Sequence, residues 1–357
     1  MKYYQEIPVI RSIAAILVVS VHVIAGLYYV GGEFTNTSIG YINQLARIGT
    51  PIFAIISAFL LMSMVLRKGF DLRQFIQSRF SKIFVPYLIW SSVYLLYKYH
   101  VENSLNPDLS ISSYFLYGNA HYHLYFILTV LQFYLVFPLL ARFKKNSGLF
   151  VALGASMIIN YLWLMFGNVT TDVEWINRFV NGRSFLLNWT AYFMMGITYA
   201  VYYQEFQDLL KRYRTSLLLV SGVILLDLWI SIDLARLYTS TNISNLIYIP
   251  FVIVVLNYIF RRVRSDATAM KLFQAIGTHS MGIYLVHPLV IRLIRRSEWF
   301  EYFQSGSMFV LAMIMILSIS MGISYAISLL PFGNYIIPVP KRRTSPRQPV
   351  DVQQVAS

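Results

Sequence analysis

Cysteine is absent from this 357-residue chain, and charge is scarce. Without a thiol there is no disulfide, no thiolate metal site and no cysteine nucleophile. Charged residues make up 12% of the sequence, against roughly 25% in a soluble domain. What is left is 57% hydrophobic, with a mean hydropathy of +0.58. So little charge excludes an ordinary water-soluble domain and leaves a polytopic membrane protein, its apolar length spent on spans. Acidic residues are the scarcer sign, 15 against 29 basic, giving a net charge of +14. In a soluble protein that excess would suggest nucleic acid. Here the basic residues flank apolar runs, where anionic lipid heads attract them. The expected partner is therefore the lipid bilayer, with no nucleic acid.

Hydropathy marks ten candidate spans, near 9–29, 48–66, 83–100, 122–141, 149–166, 186–203, 216–234, 243–260, 272–291 and 306–330. The expected fold is all-α: a polytopic integral-membrane helical bundle of about ten transmembrane helices. The first run is about 20 residues long and ends in no small-x-small site, so it reads as a retained signal anchor rather than a cleaved signal peptide. The segment 67–82 is basic, with Phe70, Phe75, Ile76 and Phe80 on an apolar side, and reads as an amphipathic helix lying along the interface. Residues 1–337 form the expected membrane domain. Residues 338–357, rich in Pro, Lys, Arg and Gln, read as a disordered cytoplasmic basic tail whose Lys341-Arg342-Arg343 cluster meets anionic lipid.

Charge sets the orientation. With the N-terminus inside, 21 of the 29 basic residues are cytoplasmic; the other eight are Arg47, Lys98, Arg178, Arg183, Arg236, Arg292, Arg295 and Arg296. That bias predicts both termini in the cytoplasm. The 292–304 loop runs against it: either its cations have a function, or one span is misassigned.

Five constellations stand out. Arg11 and His22 lie eleven residues apart on the first span, which puts the imidazole roughly 16 Å deeper than the guanidinium, near the midplane of a core about 30 Å thick. An arginine at a helix end is ordinary snorkelling; a midplane histidine is either an interhelical bridge or a functional group. In span two, Ser57 and Ala58 permit close helix approach. At the mouth of span three, Arg79 and Lys82 sit one turn apart ahead of Pro86, which should kink the helix. They read as positive-inside flanking or as a phosphate clamp. His121-Tyr122-His123 opens span four within an aromatic belt, and a metal site there has no third ligand nearby in sequence. In span nine, Gly277, Ser280, Tyr284 and His287 share one helix face, a polar stripe that either packs against helices or lines a cavity.

In this order the five segments resemble the acyltransferase 3 family of bacterial integral-membrane O-acyltransferases, over roughly residues 5–330. The matching features are the Arg11-to-His22 spacing, Phe53…Ser57…Phe59, Arg79-Phe80…Ile83…Pro86 and Ser280…Tyr284-Leu285…His287. His123-Leu124-Tyr125-Phe126 with Gln132-Phe133-Tyr134…Phe137-Pro138 looks like the polysaccharide intercellular adhesin C-type subgroup. Ala58 stands where the family usually has glycine and Lys82 where arginine is common; neither change removes a charge.

The resemblance implies an acyltransferase, of the kind moving groups other than amino-acyl groups, in the bacterial cell membrane. It makes His22 the catalytic histidine and Arg11 its essential partner, with Arg79 in the basic motif associated with acyl-CoA. Lys82 and Arg73 would join that motif. Ser280, Tyr284, His287 and His123 are candidates to hold substrate or an oxyanion. The co-substrate would be acyl-CoA, most simply acetyl-CoA, with no metal and no permanently bound cofactor. The acceptor would be an envelope glycan or glycolipid, and a polysaccharide synthase is a candidate partner. Export of a polysaccharide or lipid-linked sugar is the alternative activity. A scaffold role would leave His22 and the span-nine stripe unexplained.

Overall fold

A computed structural model describes residues 4, 6–143, 145, 147–236, 238–262 and 268–340, with the side chains of 261 and 262 left aside. Lys2, Lys144, Arg264 and the Lys341-Arg342-Arg343 cluster lie outside these residues. The chain is α-helical almost throughout. In order, the helices are α1 (Glu6–Val23), α2 (Thr37–Ala46), α3 (Gly49–Lys68), α4 (Leu72–Arg79), α5 (Val85–Tyr97), α6 (Ile111–Leu116), α7 (Tyr125–Leu140), α8 (Ser147–Phe166) and α9 (Glu174–Val180). They continue as α10 (Thr190–Val201), α11 (Tyr203–Arg212), α12 (Arg214–Ile230), α13 (Asn245–Arg262), α14 (Thr268–Arg295), α15 (Phe300–Phe303), α16 (Phe309–Ser328) and α17 (Gly333–Ile336). A short hairpin, Tyr29–Val30 with Glu33–Phe34, follows α1 after a π turn, Ile24–Tyr28.

Each expected span coincides with a helix. Among the described residues, five stretches are long and apolar enough to cross a membrane by themselves: Glu6–Tyr28, Thr37–Lys68, Leu72–Glu102, Ser147–Phe166 and Gly306–Ser328. A sixth arises if α11 and α12, bent by 94°, are one broken span, while α7, α10 and α13 are shorter apolar helices. α14 is long, but Gln274, Thr278, His279, Ser280 and His287 dilute its hydropathy. Outward faces of α7, α8, α12 and α16 leave Leu135, Val151, Phe166, Ile230 and Val310 exposed, the side chains that meet lipid in a membrane protein.

Local chemistry places the boundaries. The Asn36 side chain caps α2 by accepting from Ser38 N, and Asp71 caps α4 by accepting from Gln74 N at 2.7 Å. Gly69, at φ +76°, ends α3. Two expectations change here. The basic 67–82 segment is not a separate helix along the interface: α4 runs on through a π turn, Phe80–Phe84, into α5, and Leu72–Glu102 is one helical stretch of 31 residues. The buried Phe75, in contact with Phe70 and Phe137, ties α4 to the bundle. Pro86 does not need a kink, because the π turn ahead of it takes up the proline in the first turn of α5, with Val85 N–H bonding Phe80 O.

The bundle is built on close crossings. α3 packs most extensively on α10, and α1 on α14. A Cβ on Gly196 would lie 2.2 Å from Ile55 O, and its next neighbour is the Ala58 side chain. Gly277 rests on Pro8 O, and Gly282 on Ser324. In lipid, where apolar burial drives little, such small-residue contacts supply the packing. Phe133 and Phe193 stack at 4.0 Å between α7 and α10. Pro338 and Pro340, the first residues of the expected tail, line a cavity of this bundle.

Candidate functional site

α1 runs the length of the bundle between two cavities. At the proximal end, where α1 begins, a cavity of about 280 Å³ is lined by Arg11, Phe53, Ser57, Arg79, Lys82, Phe126, Tyr134, Ser280 and Tyr284, among others. Three cations line it and, among the described residues, no carboxylate does. Arg79 lies against two aromatic rings that meet edge to face, its guanidinium 5.5 Å from the Tyr134 ring and 6.0 Å from that of Phe75. Its Nη2 donates to Ser78 Oγ at 2.9 Å, while Nε is buried without a partner. A buried N–H with nothing to bond is costly, and one prong of a fork left open suits a phosphate or carboxylate oxygen. Met64, Arg79 and Lys82 also line an adjoining cavity of about 420 Å³ with Lys68, Asp71 and Ser78. Arg73, expected in the same group, is exposed on α4 and lines neither cavity.

At the distal end a second cavity, of about 220 Å³, holds His22, Ala25, Arg47, Thr50, Tyr122, Tyr125, Arg183, Thr239, Ser240 and Thr241. The two cavities share a wall of neighbouring residues that line one or the other. Tyr125 faces the distal cavity and Phe126 the proximal one; on α3, Thr50 and Phe53 divide likewise. Rings bridge the wall. Phe53 meets Tyr284 edge to face at 6.4 Å, Tyr284 lies 6.2 Å from His287, and His287 stacks on His22 at 5.3 Å.

The span-nine stripe therefore faces inward as its spacing predicts. Ser280 and Tyr284 join Arg11 in the proximal cavity, and His287 lies beside His22. Ser280 Oγ is buried without a partner. The Tyr284 hydroxyl donates to the His123 carbonyl. Arg11 and His22 do not share a cavity: they are the two ends of the path along α1.

Sequence reasoning missed what surrounds the histidines. Glu102 pairs with Arg292. Arg292 Nε donates to His121 Nε2 at 2.9 Å, and the two Nδ1 atoms of His121 and His123 are 3.0 Å apart. A guanidinium can only donate, so neutral His121 carries its proton on Nδ1 and donates to His123, whose own proton then sits on Nε2. His287 Nδ1 donates to Ile283 O at 2.8 Å, leaving its Nε2 with the lone pair. Both free Nε2 atoms are buried without partners, so an acceptor is set on the ring beside His22 and a donor on the next ring, His123 lying 5.6 Å from His287. The only signal for this in the sequence was negative: Arg292 and Arg296 violated the charge bias. Both have structural work, Arg296 Nη2 donating to Val101 O at 2.7 Å.

The fold and the site define a helical membrane protein with a cationic cavity near the start of α1 and a histidine cluster near its end. The family model for the acyltransferase domain of the acyltransferase 3 family matches residues 4–329; the chain belongs to that family and is a membrane acyltransferase. It is also similar, 23% identical over 335 residues, to a protein of Staphylococcus epidermidis described as a probable poly-beta-1,6-N-acetyl-D-glucosamine export protein. The match covers 89% of this chain and 90% of the relative, and the counterpart from a second record of that species, strain RP62A, matches equally. No solved structure matches the chain significantly.

Proposed function

We propose that this protein is an O-acyltransferase of the bacterial plasma membrane, moving an acyl group, most simply acetyl, from cytoplasmic acyl-CoA to a hydroxyl of an envelope polysaccharide or glycolipid. Both termini are cytoplasmic in this reading, so the proximal cavity opens inward and the distal one outward. The observation that carries it is the wall: a cavity lined by three cations and, among the described residues, no carboxylate on one side, His22 on the other, and the rings of Phe53, Tyr284 and His287 between.

CoA phosphates cannot enter hydrocarbon. Arg79, Lys82 and Arg11 hold them at the cytoplasmic face, and the buried, unpartnered Nε of Arg79 supports this assignment. The pantetheine arm then carries the thioester along the proximal cavity towards Tyr284. The acceptor hydroxyl enters beside His22, which takes its proton as the oxygen attacks the thioester carbonyl. The tetrahedral oxyanion needs a donor, and the geometry favours His123 Nε2–H. The C–S bond then breaks, and the CoA thiolate leaves and recovers the proton from His22. Tyr284, whose hydroxyl is engaged by the His123 carbonyl, positions that histidine.

A second reading, export of a polysaccharide, is favoured by the description of the staphylococcal relative. An exporter needs a passage for a sugar chain, whereas Phe53, Tyr284 and His287 fill the space between the cavities. Glycan analysis of cells with and without the gene separates the two. Loss of ester-linked acyl groups on glycan that still reaches the surface supports transfer. Intact esters on glycan retained inside the cell support export.

A further inference from the structure

The distal cavity contains two guanidiniums that the acyl-transfer chemistry does not require. Arg47 and Arg183 line it together with His22. Among the described residues neither has a carboxylate within 4.0 Å, although Glu102, Glu174 and Asp233 elsewhere on the protein are paired with Arg292, Arg178 and Arg236. Like charges left facing one cavity are costly unless something anionic enters it.

Arg47 is held through its side chain and Arg183 through its backbone. Arg47 Nε and Nη2 donate to Asn43 Oδ1 at 3.3 and 3.2 Å, and buried Asn43 is itself bonded to Val21 O at 3.2 Å. The backbone at Arg183 is pinned from two helices. Trp189 Nε1 donates to Arg183 O at 2.9 Å, while Thr129 Oγ1 and Gln132 Nε2 donate to Ser184 O at 2.9 and 2.7 Å. The third wall is clamped too. Gln44 donates to Arg236 O at 3.1 Å and accepts from Tyr238 N at 2.7 Å, fixing the base of the loop that supplies Thr239, Ser240 and Thr241. These bonds set one held guanidinium, one guanidinium on a pinned backbone, and the hydroxyls of Thr50, Thr239, Ser240 and Thr241 around one opening.

From this the geometry points to an anion subsite next to His22: the substrate meeting that histidine carries a carboxylate or phosphate, which Arg47 and Arg183 bind while the hydroxyls contact the neighbouring sugar or acyl chain. Arg47 offers its Nη1 edge, since Nε and Nη2 are engaged, and Arg183 offers a full fork. The shared chemistry has two sources, an acidic acceptor or a dicarboxylic acyl group. The inference rests on the acyl-transfer reading only for the identity of the ligand; the subsite can be measured without turnover.

The probe is inorganic phosphate, added to the detergent-solubilised full-length protein at constant ionic strength against chloride, with the melting temperature as readout. The half-saturating phosphate concentration should rise about fivefold or more in Arg183→Gln and in Arg47→Gln/Arg183→Gln, with partial recovery in Arg183→Lys. Arg183→Gln alone leaves every backbone clamp intact, so it reads the subsite even if the double variant folds poorly. Arg79→Ala removes the proximal contribution and should leave the response to Arg183 in place. No phosphate stabilisation in the wild type, or a smaller shift in Arg183→Gln, overturns the inference. The two sources separate on donor choice in membranes, by thiol release from acetyl-CoA and malonyl-CoA. A loss in Arg183→Gln confined to malonyl-CoA puts the anion on the acyl group, and an equal loss on both puts it on the acceptor. If phosphate binding fails, acyl transfer is untouched; if His22 proves dispensable for acylation, the phosphate subsite still stands.

Discussion

At the scale of the residue, the proximal cavity turns on Arg79. Its guanidinium lies against the Tyr134 and Phe75 rings, and its buried Nε has no partner among the described residues. Arg79→Ala should weaken acyl-CoA use by about 1.5–3 kcal/mol, the worth of a charge-assisted hydrogen bond, or roughly ten- to a hundredfold in apparent affinity. Arg79→Lys should recover only part of that, because lysine has no fork and stacks less well on Tyr134. The check is acyl-CoA titration at matched protein abundance; equal affinity in all three proteins would remove Arg79 from the donor site. The spacing of Arg79 to Lys82 made this pair visible in the sequence. Arg73 carried the same charge on the same segment, but it lies on the exposed side of α4, a difference that charge counting does not detect.

At the scale of the element, the bundle depends on close crossings that few residues permit. Gly196→Ala should push α10 off α3, because its Cβ would meet Ile55 O at 2.2 Å; overpacking of this kind costs about 1–3 kcal/mol. Gly154→Ala, on α8 where nothing lies within 4 Å of the new Cβ, should be neutral or stabilising by up to about 1 kcal/mol through helix propensity. Melting curves of the two variants in one detergent test the contrast, and a Gly196→Ala protein as stable as wild type would contradict this account of the α3–α10 crossing. Much of the helix pattern was legible, because apolar runs and their polar ends are local. What was not legible is what long-range hydrogen bonds decide. Arg47 and Arg183 lie 136 residues apart, and only the clamps made by Asn43, Gln132 and Trp189 bring them to one cavity. The three π turns were equally invisible, yet Ile24–Tyr28 follows His22, Phe80–Phe84 contains Lys82, and Lys98–Glu102 ends on the partner of Arg292. Each borders a residue of the proposed site or of the ion pair behind it, and π turns often occur at such places.

At the scale of the whole molecule, the account requires the two cavities to open on opposite sides of the membrane, with donor and acceptor meeting at the wall. Labelling of cysteines introduced at Ser110 and Ser345 should report opposite sides, Ser345 facing the cytoplasm; labelling of both from one side would contradict that arrangement. The central claim is that His22 handles a proton at this meeting point rather than merely bridging helices. The most direct measurement is ester-linked acyl transfer by membranes containing equal amounts of wild-type, His22→Ala and His22→Gln protein, with melting temperatures taken in parallel. Glutamine can keep a hydrogen bond, but it cannot accept a proton at neutral pH. The account predicts that both variants insert, melt near the wild type and transfer no acyl group. Normal acylation by a well-expressed His22→Gln protein would contradict it.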